Sequence, residues 1–473
     1  MLDNKLRPPV RIGRMGRAAQ AVRLGKKYAL SLGMLTVFAA GLSSHASSLS
    51  ELADDAFAHD AKLASAEAAF RAGLEKAPEA RAALLPHLAL SESAFRNSIN
   101  VPGQPSVQYS TVGSTLSLNQ SVFKWDDWEI YQESRLSVIA SGIALASAKQ
   151  DLLLRVAQAY FDALAAKDGF LLAQEHQRSV DEQLALTQRS FALGVATIVD
   201  LNEIKAGADA ARADLVQAQS VLATRYAALQ KLVGHAVDSV DPLDADALLP
   251  ALTPEPAERW TSDAQASGLD VRQQQIALEI ARREVSKANA GYLPAVSIVG
   301  NVSHGNAAFI NGQTNFNTGA NRATSGEIGI QISIPLFDGL STMSRKREAL
   351  ALRDKAEDDL DDARRTAALD AQNAFLGVRD GLAQVSALLT AQKSAETALH
   401  SNRKGFKVGV RINADVLDAE DKLFGTRRDL SKARYDTLMQ FLRLKASVAQ
   451  LDGTTLTQLA GHGSLSPSDQ TKK

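Results

Sequence analysis

Asp415 and Asp418 stand three residues apart in the segment Val408-Gly409-Val410-Arg411-Ile412-Asn413-Ala414-Asp415-Val416-Leu417-Asp418. Three residues apart in a helix, they share a face. Taken alone, both favour the N-terminal turn of a returning helix through its dipole, worth about 0.3–1 kcal/mol. Nothing nearby supplies the partners an enzyme would need. The chain has no cysteine, which excludes disulfides, thiolate metal sites, a cysteine nucleophile and a lipid anchor on an N-terminal cysteine. The eight histidines show no metal-ligand spacing and there is no phosphate-binding Gly loop. His176, among Gln174, Glu175, Gln177 and Arg178, reads as a surface residue. The expectation is a protein that is not an enzyme and carries no cofactor.

Charge narrows the class further. The formal net charge is −1, but residues 1–46 hold eight of the 52 basic residues and one of the 53 acidic ones, so the remainder carries −8. An acidic chain has no basic face with which to displace counterions, so no nucleic-acid partner is expected. The basic segment runs into the apolar stretch Tyr28–Ala40 and then Ser44-His45-Ala46, whose small first and third residues suit a signal-peptidase cut. The segment 1–46 therefore reads as a signal peptide, with Met15 an alternative start. The apolar stretch is short of the ~20 residues that span a bilayer, which disfavours an N-terminal anchor.

The elements that position the aspartates emerge from proline and periodicity. Proline is excluded from helix interiors, and two stretches lack it, 106–241 and 336–466, of 136 and 131 residues. Between them Pro242, Pro250, Pro254 and Pro256 punctuate a linker. The halves match in sequence. Leu85-Pro86-His87-Leu88-Ala89-Leu90 recurs as Leu293-Pro294-Ala295-Val296-Ser297-Ile298; Leu116, Leu118 and Phe123 correspond to Ile330, Ile332 and Phe337; Phe191-Ala192-Leu193-Gly194-Val195 with Asp200 returns as Phe406-Lys407-Val408-Gly409-Val410 with Asp415. Matches in the same order argue for a duplicated unit. The domain plan is then 1–46 signal peptide, 47–241 first repeat, 242–258 linker, 259–453 second repeat and 454–473 a polar tail expected to be disordered.

Within each repeat the hydrophobic period changes. Ile328, Ile330, Ile332, Ile334 and Leu336 alternate with polar or small residues, the pattern of a strand with one apolar face; Val296, Ile298, Gly300 and Val302, and Leu116 with Leu118, do so more loosely. Each half offers two strands, separated by polar loops at 99–108 and 306–324. Downstream, Leu145, Leu152, Val156, Ala159, Ala163, Ala166, Phe170 and Ala173 recur at helical spacing. A helix over about 126–190 would be ~100 Å long. Gly194 and Gly409 stand where such helices end, and second helices return over Asp200–Leu232 and Asp415–Leu451. Trp125, Trp128, Tyr109 and Tyr292 flank the strands, where their rings suit either a lipid-water interface or packing at the strand-helix junction.

Four strands with a lipid-compatible face cannot close a barrel, and open edges in a bilayer leave backbone groups unpaired at several kcal/mol each. The barrel must be shared. The smallest transmembrane barrels have ~8 strands, so two chains are the arithmetic minimum and three would give 12.

The doubled plan, the phrase Ile334-Pro335-Leu336-Phe337-Asp338-Gly339 leading into a helix and the turn Phe406–Asp418 resemble the TolC-like outer-membrane efflux family, over roughly residues 49–453. The resemblance implies an α+β membrane protein in which four strands per chain join a shared 12-stranded transmembrane β-barrel, continued by a long coiled-coil α-helical periplasmic barrel. It also implies a homotrimer in the outer membrane lipid of a Gram-negative bacterium, passing small molecules or type I secretion cargo. Its partners would be a periplasmic adaptor and an inner-membrane RND or ABC-type pump. The family narrows its channel with acidic residues of the second repeat, which fall here on Asp415 and Asp418, and these carboxylates offer a seat for a divalent cation. Arg411 is placed to pair with Asp200 and latch the tip. The turns Gly194-Val195 and Gly409-Val410 would meet the adaptor. Phe406 stands where relatives can have Tyr, so no hydroxyl link is available there. The rival reading is a periplasmic coiled-coil adaptor or structural protein, which accounts for the helices but not for strands at the same place in both halves.

Overall fold

The computed structural model describes residues 47–461 except 101, 104, 244, 246–248, 250–254 and 307–321. The signal peptide over 1–46, most of the 306–324 loop and residues 462–473 lie outside the described residues. Three short helices, α1 (Leu49–His59), α2 (Ala61–Leu74) and α3 (Lys76–Ala82), lead into strands β1 (His87–Ile99) and β2 (Val107–Phe123). A helical hairpin follows, α4 (Trp125–Ala192) and α5 (Ile198–Val233). The second half repeats the plan with α6 (Ala257–Ser267), α7 (Leu269–Ala290), β3 (Ala295–Asn306), β4 (Arg322–Ser333), α8 (Ser341–Lys407) and α9 (Asn413–Ser447), and then adds α10 (Gly453–Gly461).

The strands form one antiparallel sheet in the order β1-β2-β3-β4. β2 and β3 are separated by the whole first helical hairpin yet pair directly, Leu116 opposite Val302, with a bulge between Ser121 and Phe123. Register aligns the apolar residues: Leu88 faces Leu118, Leu90 faces Leu116, Ile298 faces Ile330 and Val296 faces Ile332. All lie on one side, because side chains alternate with a period of two. That side is bare, with Ile328, Ile330 and Ile332 exposed at 76%, 72% and 62%. The opposite side carries Ser91, Ser117, Asn301, Ser303 and Gln331. Outer edges of β1 and β4 have no strand partner among the described residues.

Freedom from proline lets α4 and α8 run for 68 and 67 residues, about 100 Å each at a rise of ~1.5 Å per residue. α5 packs along α4 and α9 along α8, while α4 and α9 join the two hairpins; nearer the strands, α2 and α3 flank α4, and α7 lies between α4 and α8. Entry into α8 explains the Phe-Asp-Gly phrase. Gly339 and Leu340 both adopt left-handed backbone, φ 67° and 70°, and the turn lets the Asp338 carboxylate accept the Thr342 N–H at 2.7 Å. A first-turn N–H that would otherwise be orphaned is thereby satisfied.

The main core sits at mid-height, where Leu152, Val156 and Phe161 of α4 meet Leu438 and Leu442 of α9 and Leu52 of α1. One boundary expected from the sequence is corrected here. The tail does not begin at 454, because α10 docks on α1 and buries Leu456 and Leu459 in the core. Leucines three apart give one apolar face, which a tail judged by overall polarity hides. The linker 242–258 packs as it passes between the repeats: Leu243, Ala245 and Leu249 join the same core, and α6 starts at Ala257. β4 also ends at Ser333, so Ile334 and Leu336 continue the alternation into an exposed turn.

Leu456→Ala removes a fully buried side chain and is expected to cost about 2–5 kcal/mol. Thermal melting checks this, with a clear drop expected for Leu456→Ala and none for the exposed neighbour Thr457→Ala.

Candidate functional site

Farthest from the strands, each hairpin turns in five residues by the same device. Gly194 and Gly409 hold φ of 76° and 75°, a left-handed conformation that glycine adopts without steric cost. Val195 N–H then donates to Ser190 O at 2.8 Å and Gly194 N–H to Phe191 O at 2.9 Å. In the second repeat Val410 N–H donates to Gly405 O at 3.0 Å and Gly409 N–H to Phe406 O at 3.1 Å. Both sets close the helix end in a Schellman motif. The turns leave Val195 and Val410 80% and 74% exposed, apolar tips with nothing over them among the described residues.

The returning helices start differently. Thr197 and Asp200 form a full capping box on α5: Asp200 N–H donates to Thr197 Oγ1 at 3.1 Å, and Asp200 Oδ2 accepts from Thr197 N–H at 2.8 Å and from its hydroxyl at 2.7 Å. Those hydrogen bonds, the hydroxyl's first, hold the Asp200 carboxyl below the usual carboxylate range. At the start of α9 the threonine is replaced by Ile412, which has no oxygen to offer, so only half the box survives: Ile412 N–H donates to Asp415 Oδ2 at 3.3 Å. Asp415 also meets Arg411 Nη1 at 3.6 Å. Asp418 lies exposed one turn on.

Within the chain, therefore, Arg411 reaches Asp415 rather than Asp200. The reason is local: four residues apart, they need no neighbouring element to meet. Asp415 and Asp418 lie on the same helix, α9.

Residues that the sequence reading passed over tie α9 to α4. Gln183 donates to Asn413 Oδ1 at 2.7 Å, and Asn413 is buried. Arg403 of α8 donates to Glu420 of α9 at 2.6 Å and to Ser179 of α4 at 2.8 Å. Leu417 sits against Gly207 of α5, where an added Cβ would lie 2.8 Å from Leu417 Cδ2. The reading of His176 as a surface residue is corrected: its side chain is 8% exposed and its Nε2 lies 2.9 Å from Asp421 Oδ1. Polar sequence neighbours misled because successive helix residues point around the axis, and position 176 faces α9. These partners are separated by up to 245 positions in the chain and leave no local signal; Gly207, a glycine inside a helix, is the one mark that could have flagged a close approach.

An open sheet with one apolar and one polar face, continued by helices about 100 Å long, defines a subunit of an outer-membrane exit duct. The model of the outer membrane efflux protein family matches residues 52–235 and 260–450. The chain is 28% identical over 406 residues to the outer membrane protein TolC of Vibrio cholerae, covering 86% of this chain and 91% of that one. To the alkaline protease secretion protein AprF of Pseudomonas aeruginosa it is 30% identical over 416 residues, covering 86% and 85%. Among solved structures it resembles CusC with a TM-score of 0.75 at 19% identity, over 85% of this chain and 91% of that one. For VceC of Vibrio cholerae the TM-score is 0.72 at 20% identity, over 85% and 96%. The chain belongs to the outer membrane efflux protein family, as an outer-membrane channel of the efflux and type I secretion class with a periplasmic helical extension. This decides against the adaptor alternative.

Gly409→Ala forces a side chain into left-handed backbone, at about 1–2 kcal/mol; faster hydrogen exchange at the Val410 amide is the expected result. Thr197→Ala is expected to cost about 1 kcal/mol, read as a lower melting temperature. Because the folded Asp200 carboxyl is depressed, its share of that stability is present above about pH 3.9 and lost as pH falls through the depressed value. The melting difference between wild type and Thr197→Ala should therefore shrink in acid.

Proposed function

We propose that three copies of this chain close a 12-stranded barrel and a helical tube, forming a passive duct whose periplasmic end is narrowed by Asp415 and Asp418. The observation that carries this is the four-stranded sheet, apolar on one side and polar on the other, whose β1 and β4 outer edges have no strand partner among the described residues. A bilayer tolerates no such edges, and three chains supply an even strand number within the range of closed barrels. The apolar side faces lipid and the polar side lines the lumen. Trp125, Trp128 and Tyr292, all exposed beside the strand-helix junction, sit at the membrane boundary.

Three chains bring six carboxylates to one ring. Such a ring repels anions and concentrates cations, and offers a divalent cation oxygen ligands. Arg411 of one copy reaches Asp200 of the next, since Thr197 engages only Oδ2 of that carboxylate. The exposed turns at Gly194-Val195 and Gly409-Val410 dock on a periplasmic adaptor, which couples the duct to an inner-membrane pump of the RND or ABC type. The similarity to AprF, named for alkaline protease secretion, and to the proteases secretion protein PrtF of Dickeya chrysanthemi, 26% identical over 430 residues, favours protein secretion as one of its duties.

Single-channel recording in planar bilayers tests this reading. Wild type is expected to give small cation-selective openings blocked by divalent cations. Asp415→Ala/Asp418→Ala should lose both the selectivity and the block. An unchanged double mutant would displace the constriction, and a pure oligomer that inserts but never conducts would overturn the duct.

A further inference from the structure

Between the two hairpins, two turns beyond Asp415 on α9, lies a contact that the constriction does not use. Both ring nitrogens of His176 are closed off from solvent. Nε2 stands 2.9 Å from Asp421 Oδ1, yet makes no well-directed hydrogen bond to it, so the attraction depends on charge. The ring stacks on Phe424 of α9, centroids 4.8 Å apart and planes 12° from parallel, and the Arg428 guanidinium lies 6.0 Å from that phenyl ring. α4 supplies the histidine and α9 the carboxylate, so the contact bridges the first repeat to the second.

The surrounding charges are largely spoken for. A groove of about 620 Å³ opens beside the ring. From α8 it is lined by Glu396, His400 and Arg403, from α9 by Glu420 and Arg427, and from α4 itself by Glu175, Arg178 and Glu182. Arg403 is held by Glu420 at 2.6 Å, and Arg427 by Glu396 at 2.9 Å and Glu175 at 3.8 Å. Asp421 is thus the carboxylate in contact with the imidazole, with Asp418 one turn away on the same helix.

We propose that His176 and Asp421 form a pH-operated strut, which holds α9 against α4 when the imidazole is protonated and releases it when the ring is neutral. The proposal rests on the duct reading only for its consequence at the constriction. Histidine is the side chain whose charge changes across the physiological pH range, so the strut is charged on the acid side of that range and slackens as pH rises. At the acid extreme it fails again, because burial pushes the Asp421 carboxyl up, more than the neighbouring imidazole draws it down. From Asp421 to Asp415 is about 9 Å along one helix at ~1.5 Å per residue, so the strut and the aspartates move as one body.

The native chain has no cysteine, so spin labels attach only where cysteines are placed, at Gln174→Cys on α4 and Lys422→Cys on α9, both exposed positions. Pulsed electron resonance on the full-length protein at pH 5.5 and 7.5 is expected to give a longer, broader α4–α9 distance at the higher pH. His176→Gln should give the pH 7.5 distribution at both values, as should Asp421→Asn, whose half-exposed site tolerates the change. Equal distances at the two pH values in the labelled parent, or a pH shift that persists in His176→Gln, would overturn the strut. In bilayers, open probability should rise about fivefold or more from pH 5.5 to 7.5, the lower range of coupling between sites, and stay level in His176→Gln. Absence of conductance in every variant would count against the duct, while the distances would still decide the strut.

Discussion

Every backbone N–H and C=O that enters a bilayer must find a partner within protein, and the architecture follows from that demand. A chain with four strands can pair six of its eight strand edges and no more. Whatever closes the remaining two must present the same register, which another copy of the same chain does by construction. Duplication supplies the strands economically. Each repeat contributes one hairpin, and the two hairpins join through β2 and β3, whose residues lie about 190 positions apart in the chain. Between those strands the chain runs about 100 Å away and back, so a helical extension is the physical form of the connection itself.

The same economy governs the far end. Both hairpin turns satisfy their helix carbonyls by identical hydrogen bonds through a left-handed glycine, so both tips are held in the same shape. They differ in how the return helix is capped. Thr197 fastens Asp200 in the first repeat, whereas Ile412 leaves the Asp415 side chain with one backbone bond and a long contact to Arg411. One aspartate is held by a full capping box, and its counterpart is held by half of one. A duplicated motif has thereby diverged at the residue that decides how firmly a carboxylate is tied to its helix end.

Across the repeats, the second hairpin is held to the first by small, separable contacts: Gln183 on Asn413, Arg403 on Ser179, Leu417 against Gly207, His176 on Asp421. None resembles the dense apolar core at mid-height, where Phe161, Leu438 and Leu442 interlock. Toward the tips the apolar packing shrinks to two small clusters, around Val416 and around Ile204. Local stability is lowest where few apolar contacts are buried.

The plan of the chain was legible in its residues because its signals are local. Proline-free stretches mark the long helices, alternation marks β4, and the recurrence of Phe-x-x-Gly-Val marks both turns; each is a property of a few neighbouring residues and survives without knowledge of the fold. The role of α10, the burial of His176 and the partner of Arg411 were not legible. A short amphipathic helix, a histidine among polar neighbours and an arginine on a turn each admit several environments, and the choice rests on residues hundreds of positions away. What the sequence by itself determined is the long helices, the strand pairs, the hairpin turns and the doubling of the unit, since those depend on backbone sterics and on the period of the apolar residues. Tertiary structure alone decided which helix faces meet, because contacts between elements distant in the chain are selected by packing of the whole and leave no pattern in either partner.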